Sequence, residues 1–182
     1  MTTDTVQGVA QAIERLARRD SMSLANFIVS LAQDSGPIGE QVRTFIVGDD
    51  IAAATESIKA RIDSLRTPSE SDYRRQYGEE IDERLGFVVD SIETLVLPVD
   101  PKKAFELLIL VFQSDAVAME NCGNHDYEVT SVFEQATELI ATAARSLPHR
   151  EVEAALQPLI LDDDYGVRGG LLEVISRRRE QR

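Results

Sequence analysis

The most informative segment of this chain is residues 100–119, which read DPKKAFELLILVFQSDAVAM. Asp100 followed by Pro101 is a typical helix start, because aspartate caps free backbone amides and proline is tolerated at the first helical position. The residues that follow are apolar on more than one helix face, which is typical of a helix at the centre of a protein. The apolar run Leu107–Val111 is far shorter than the roughly 20 residues that cross a bilayer. We therefore expect a central helix that ends at about Met119.

The rest of the chain has the same periodicity. Apolar residues recur at spacings of three and four, and sustained alternation with a period of two is absent, which indicates helices rather than strands. With the central helix, we predict nine helices. The apolar residues of the other eight, separated by semicolons, are Val6, Val9, Ile13 and Leu16; Leu24, Phe27, Ile28 and Leu31; Ile38, Val42 and Ile46; Ile51, Ala54, Ile58, Ile62 and Leu65; Tyr73, Tyr77, Ile81, Leu85, Val89, Ile92 and Val96; Val129, Val132, Phe133, Ala136, Leu139, Ile140 and Ala143; Val152, Ala155, Leu156, Leu159 and Ile160; Val167, Leu171, Val174 and Ile175.

The order of these helices predicts the architecture. Neighbouring helices pair along the sequence, which favours serial antiparallel hairpins in an all-α fold, either an irregular α-solenoid or a helical bundle. The hairpins are unequal in length, so no regular repeat of known type is indicated. We expect one helical domain over residues 1–182. The clearest internal break is Thr67-Pro68-Ser69, and a sub-boundary near 67–70 would separate a small N-terminal four-helix part.

The charge of the chain is strongly acidic and uneven. The formal net charge is −13, and fourteen acidic residues lie between Glu79 and Glu138 against three basic ones. Nucleic acids and anionic lipids bind through Lys and Arg, so this surface disfavours both. A protein partner, basic or neutral, or a cation fits better. The simpler alternative is that the charge only keeps the protein soluble.

Cysteine content and the first residues predict the compartment. Cys122 is the single cysteine, so the chain forms no internal disulfide. The segment Met1–Thr5 has neither the basic nor the long apolar region of a signal peptide. We expect a cytoplasmic protein without a membrane segment.

Residues 156–173 read LQPLILDDDYGVRGGLLE and carry two resemblances. The spacing from Asp162 to Val167-Arg168 resembles the turn and second-helix start of a HEAT repeat, in which an Asp and an Arg bind the turn backbone and neighbouring repeats. The fuller string resembles the C-terminal part of an uncharacterised bacterial family of all-helical domains, found alone or after a SWIM zinc finger. This chain departs from that family in Gly169-Gly170 and in having no zinc-finger cysteines. The resemblance implies an all-helical fold and no known activity.

The same segment can be interpreted from its chemistry. Three carboxylates at a helix start would favour the positive end of the helix dipole, and Asp162 or Asp163 would cap backbone amides. Arg168 is close enough in sequence to pair with them. Gly166, Gly169 and Gly170 would allow a neighbouring helix to approach, at about 1 kcal/mol of helix propensity each. A structural role is therefore favoured over ligand binding.

Two places remain candidates for interaction. The first is the loop just described; its candidate residues are Asp162, Asp163, Asp164, Tyr165 and Arg168. The second is the one basic and aromatic spot of the chain, with Tyr73, Arg74 and Tyr77, which could dock a phosphate or an acidic peptide.

Motifs for metal binding and catalysis are lacking. Asp162, Asp164 and Glu173 match three positions of a calcium loop, but Gly166 and Val167 occupy positions that need an oxygen ligand and a glycine. Cys122 and His125 are too few ligands for a stable metal site. No Glu-x-x-His, nucleophile elbow, phosphate loop or Cys-x-x-Cys occurs. The sequence thus favours a non-enzymatic chain without cofactor or metal.

Two functional hypotheses follow. The favoured one is a protein–protein interaction or scaffold module, because stacked helical hairpins present extended surfaces for peptides and helices. The alternative is a small-ligand binder or enzyme with a site inside the bundle, where Tyr73, Tyr77 or His125 could contribute polar groups. The oligomeric state and the identity of the partner are not predicted.

Overall fold

The structure, a computed structural model, describes residues 15–32, 39, 42, 45–46, 50–66, 81–123 and 125–180. Every regular element in these residues is helical, so the predicted all-α fold is confirmed. The chain forms two compact units, Met1–Ile46 and Val47–Arg182. The sub-boundary predicted near 67–70 lies outside the described residues.

In the N-terminal unit, helix α1 spans Ser21–Ala32. Its first turn is capped by Asp20, whose carboxylate accepts a 2.8 Å hydrogen bond from the backbone amide of Ser23. Hydrogen bonds from Ser23 lower the pKa of Asp20. The helices predicted over Asp4–Arg18 and around Ile38–Ile46 fall largely outside the described residues.

The larger unit contains the remaining helices. They are α2 (Ile51–Arg66), α3 (Ile81–Ser91) with a π-helical turn (Ile92–Val96), α4 (Pro101–Phe112), α5 (Asp115–Asn121), α6 (Asp126–Ala144), α7 (His149–Leu161) and α8 (Gly169–Glu180). Two aspartate caps are present, and the one at Asp100 was predicted. Asp50 accepts from the amides of Ala52 and Ala53 at the start of α2, and Asp100 accepts from the amide of Lys103 at the start of α4.

Helix α4 is central, as its apolar faces predicted. It packs against α2, α3, the π-helical turn, α6 and α7. Six of its twelve residues are buried: Ala104, Phe105, Leu107, Leu108, Val111 and Phe112. The ring of Phe112 lies 5.4 Å from that of Phe133 on α6. One apolar cluster runs from Ile58 on α2 to Ile175 on α8.

Side-chain contacts give the directions of neighbouring helices. The guanidinium of Arg61 lies 4.7 Å from the ring centre of Phe87, and Arg84 donates to Ser64. Residue numbers thus fall along α2 as they rise along α3, so this pair is antiparallel. Gln135 on α6 donates to Asp90 at the end of α3. The same two helices also contact each other nearer their starts, where a Cβ at Gly86 would lie 3.7 Å from Val132. Residue numbers therefore rise together along α3 and α6, so these two helices run in the same direction. This alternation agrees with a bundle or solenoid of hairpins.

The predicted central helix is interrupted. We expected it to continue to Met119, but α4 ends at Phe112 and α5 begins at Asp115. Between them, the amide and the hydroxyl of Ser114 both donate to the carbonyl of Val111. The carbonyl of Phe112 accepts from Arg168, a residue of another part of the chain. A tertiary contact therefore replaces the helical hydrogen-bond pattern at this point.

None of the helices in the described residues is both long enough and apolar enough to cross a membrane.

Candidate interaction site

The loop between α7 and α8, residues 162–168, begins where α7 ends. Asp162 is the C-cap residue of α7, and its amide donates to the carbonyl of Leu159. Gly166 has a φ of +73°, in the left-handed region that favours glycine. A Cβ at Gly166 would meet no atom within 4 Å, so the backbone conformation alone requires glycine there.

Arg168 at the end of this loop is buried, with 5% of its surface exposed. Its Nε and one Nη each donate to Asp115 over 2.6 Å, forming a bidentate ion pair with a carboxylate that is 1% exposed. The remaining guanidinium hydrogen bonds go to the backbone carbonyls of Leu159, Asp162 and Phe112. A guanidinium has five N–H donors, and each of them has an acceptor here. Full pairing is the condition under which a buried ion pair is tolerated.

The sequence predicted only the weaker part of the pairing of Arg168, its ion pair with Asp162. We expected it to pair with the carboxylates of residues 162–164, but its main partner is Asp115, 53 residues away. The carboxylate of Asp162 is 82% exposed and lies 3.8 Å from the guanidinium. Because Asp162 lies at the C-terminal end of α7, the expected favourable dipole interaction was wrong for this residue. One feature of the sequence could have indicated the true partner of Arg168. Asp115 is a lone carboxylate in a segment predicted to be buried, and such a group needs a positively charged partner.

The predicted cap is present at Asp163. Its Oδ2 accepts a 3.2 Å hydrogen bond from the amide of Arg168, one residue before α8 begins. Its other oxygen, Oδ1, is buried without a hydrogen bond to the described residues. Asp164 is exposed to solvent.

A second link joins the loop to α5. The hydroxyl of Tyr165 donates a 2.8 Å hydrogen bond to Glu120. This hydrogen bond raises the pKa of Tyr165, with smaller contributions from burial and from the charge of Glu120. The loop is thus attached to α5 at Asp115 and at Glu120. Asp162, Asp164 and Tyr165 lie exposed, whereas Arg168 is internal.

The second predicted site cannot be placed. Tyr73, Arg74 and Tyr77 lie outside the described residues, and the site they form stays a prediction.

A feature that the sequence analysis missed is an open groove between α6 and α8. It encloses about 710 Å³. Residues of α6 from Thr130 to Arg145 form one wall, and residues from Gly166 to Arg177 form the other. The helices are in close contact at Gly170, where a Cβ would lie 2.9 Å from Cγ2 of Thr137. The close approach predicted for the glycines is therefore confirmed at Gly170. It is wrong at Gly166 and Gly169, where a Cβ would meet nothing within 4 Å.

The groove has charged walls. Its charged residues are Glu134, Glu138 and Arg145 on α6, and Glu173 and Arg177 on α8. Arg177 and Glu173 form an exposed ion pair at 2.8 Å. Within the described part of the chain, no ion pair involves Glu134, Glu138 or Arg145. Two carboxylates and one guanidinium in the groove are thus available to a ligand.

A smaller, apolar groove of about 290 Å³ lies between α4 and α7. Phe105, Ile109, Leu147 and Ala155 provide its apolar lining, together with Glu106 at its edge. An ion pair of 3.3 Å between Lys102 and Glu151 crosses it. This pair engages two of the three charged residues that line the groove, and Glu106 is the third.

The polar loop after α5 carries the only cysteine. Cys122 is buried, and its thiol donates to the carbonyl of Met119. Burial raises the pKa of this thiol, with a further contribution from Asp126, so the thiol form is favoured. Across the described residues, no three His, Cys, Asp or Glu side chains are placed to hold a metal ion.

Fold and surface thus define an all-helical protein with a charged groove between two of its C-terminal helices. Comparison of the chain with protein-family models, curated proteins and solved structures finds no match.

Proposed function

We propose that this chain is a non-enzymatic interaction module that binds a segment of a partner protein in the α6–α8 groove. The observation that carries the proposal is the groove itself, which is open at Gly169 and whose Glu134, Glu138 and Arg145 have no ion-pair partner among the described residues. Grooves between packed helices are a common docking site for peptides and amphipathic helices.

The form of the groove favours a protein ligand over a small molecule. Small-molecule sites bury most of their ligand in an enclosed, largely apolar cavity. This groove is partly open to solvent, and the side chains of Glu134 and Glu138 on its wall are exposed. The alternative of an enzyme or small-ligand site inside the bundle receives no comparable support from the described residues.

The loop geometry also supports the proposed HEAT-like character of the C-terminal helices. In the resemblance, an Asp and an Arg bind the turn backbone and a neighbouring repeat. Here Asp163 accepts from the turn backbone, and Arg168 binds Asp115 and the carbonyl of Phe112 in the preceding helices. A HEAT-like turn, membership of the uncharacterised helical family and a cytoplasmic location remain part of this proposal.

Site-specific photo-cross-linking tests the proposed function. A photoreactive phenylalanine analogue would replace Thr142, which lines the groove, in the full-length chain expressed in its native cell. The matched control places the same analogue at Gln157, an exposed residue of α7 outside the groove. We expect discrete protein adducts from position 142 that are missing from position 157. Adducts from neither position, or the same adducts from both, would contradict a binding function of the groove.

A further inference from the structure

The proposed function does not say which kind of protein segment binds in the groove. The chemistry of the groove favours one kind of segment over others. The relevant features are the open space at the Cβ position of Gly169, the charges on the α6 wall and the length of that wall.

Gly169 is the first residue of α8 and lines the groove. The neighbouring Gly170 is explained by the chain itself, because a side chain there would collide with Thr137. Nothing comparable explains Gly169, since its Cβ position is empty to 4 Å and its φ is not positive. The missing side chain leaves the α8 backbone open to close approach from the groove. Small residues at such a place allow a partner helix to pack closely against the backbone.

Glu134 and Glu138 stand one helical turn apart on the α6 wall. Like charges at this spacing repel each other and destabilise a helix. Neither carboxylate has an ion-pair partner among the described residues, so the repulsion is not relieved within the chain. A basic side chain of a ligand that lies between Glu134 and Glu138 would attract both carboxylates and so offset their repulsion.

The opposite end of the wall has the opposite charge. Arg145 follows Glu138 by two helical turns and is likewise unpaired in the described structure. Arg177 does not add to it, because Glu173 already balances it. The net charge of −13 attracts a basic segment at long range, and the local charges then favour one orientation.

The wall is long enough for a helix. The wall from Thr130 on α6 to its C-cap residue Arg145 extends over about 22 Å at 1.5 Å per residue. A ligand helix of about four turns would cover this length. A helix also satisfies its own backbone hydrogen bonds, which suits a groove whose walls are helices with paired backbones.

We propose that the groove binds an amphipathic helix of a partner protein that places basic side chains against Glu134 and Glu138, and an acidic or neutral residue against Arg145. This inference rests on the proposed function. It adds the charge and conformation of the ligand.

The test extends the cross-linking at position 142. The cross-linked segment would be sequenced by mass spectrometry and made as a synthetic peptide, and its binding to the full chain would be measured by fluorescence anisotropy. We expect a segment with Lys or Arg on one helical face, whose circular dichroism becomes helical on binding. Replacing Glu134→Lys and Glu138→Lys together should weaken its binding by about tenfold, as two exposed charge pairs are reversed. Added salt should weaken binding to the parent chain.

A charge-matched control isolates the groove. Glu56→Lys with Glu83→Lys changes the net charge equally on exposed positions of α2 and α3, and should change affinity by less than about twofold. If the segment is acidic, remains extended, or comes from a second copy of this chain, the inference is overturned while a binding function of the groove stands. Equal weakening in both double variants would also overturn it, because only the overall charge would then matter. If no adduct forms at position 142, both the inference and the proposed function fail.

Discussion

Arg168 and Asp115 form a buried bidentate ion pair with two 2.6 Å hydrogen bonds, although 53 residues separate them in the sequence. The same guanidinium binds the carbonyl of Phe112 at the end of α4 and that of Leu159 near the end of α7. The side chain of Arg168 therefore connects the ends of α4 and α7 with the starts of α5 and α8. It also holds the chain segment from which the second wall of the groove begins.

Arg168→Met should destabilise the protein by about 3–5 kcal/mol, because it leaves the buried carboxylate of Asp115 without its partner. Urea unfolding of the variant and the parent measures this. Arg177→Met, which breaks only the exposed pair with Glu173, should cost less than about 1 kcal/mol. The double variant Arg168→Met with Asp115→Leu should recover part of the loss, since no unpaired charge remains buried. Equal unfolding midpoints for Arg168→Met and the parent would show that the pair does not hold these helices together.

The two adjacent glycines should respond in opposite ways to alanine. Gly170→Ala should destabilise the protein by roughly 1–3 kcal/mol, because its Cβ would lie 2.9 Å from Cγ2 of Thr137. Gly169→Ala should be neutral or stabilise by up to about 1 kcal/mol, because the site is open and alanine restricts the unfolded chain. Thermal melts of both variants test the contrast. Thr137→Ser removes the methyl group that collides and should rescue Gly170→Ala; without such rescue, the collision is not the cause.

Two neighbouring aspartates of the loop, Asp163 and Asp164, should differ in their effect on stability. Asp163→Ala removes the acceptor of the Arg168 amide and should cost about 1 kcal/mol, the usual value for a lost cap. Asp164→Ala should stay within about 0.5 kcal/mol, as for ordinary surface changes. The free energy of unfolding in urea would be compared for the two variants. A larger loss for Asp164→Ala than for Asp163→Ala would contradict the assignment of the cap.

The hydrogen bond between Tyr165 and Glu120 predicts a pH dependence. Because the pKa of Tyr165 is raised above its ordinary value of 10.0, the folded state holds this proton over a range in which the unfolded state has lost it. The stabilisation is therefore fully present below about pH 10 and is lost as pH rises through the raised pKa. Stability curves at alkaline pH for the parent and Tyr165→Phe should converge. The phenolate absorbance should titrate at lower pH in Glu120→Gln than in the parent, and an unchanged titration would contradict the hydrogen bond.

Much of the fold follows from local rules that the sequence carries. Apolar spacing identified the helices of the larger unit, and the caps at Asp50 and Asp100 lie where aspartate precedes an apolar helix. These features depend on residues within a few positions of one another, so a linear pattern is enough to predict them.

The break of the central helix and the ion pair were decided by tertiary structure. Nothing near Gln113 in the sequence forbids a continuous helix, and α4 ends there because Arg168 takes both the carbonyl of Phe112 and the carboxylate of Asp115. The groove likewise depends on the distance between α6 and α8. That distance is short at Gly170, where only the missing side chain of glycine leaves room for Thr137. Periodicity shows which face of a helix is buried but not which distant residue it meets, because that choice depends on packing and on pairing every buried charge.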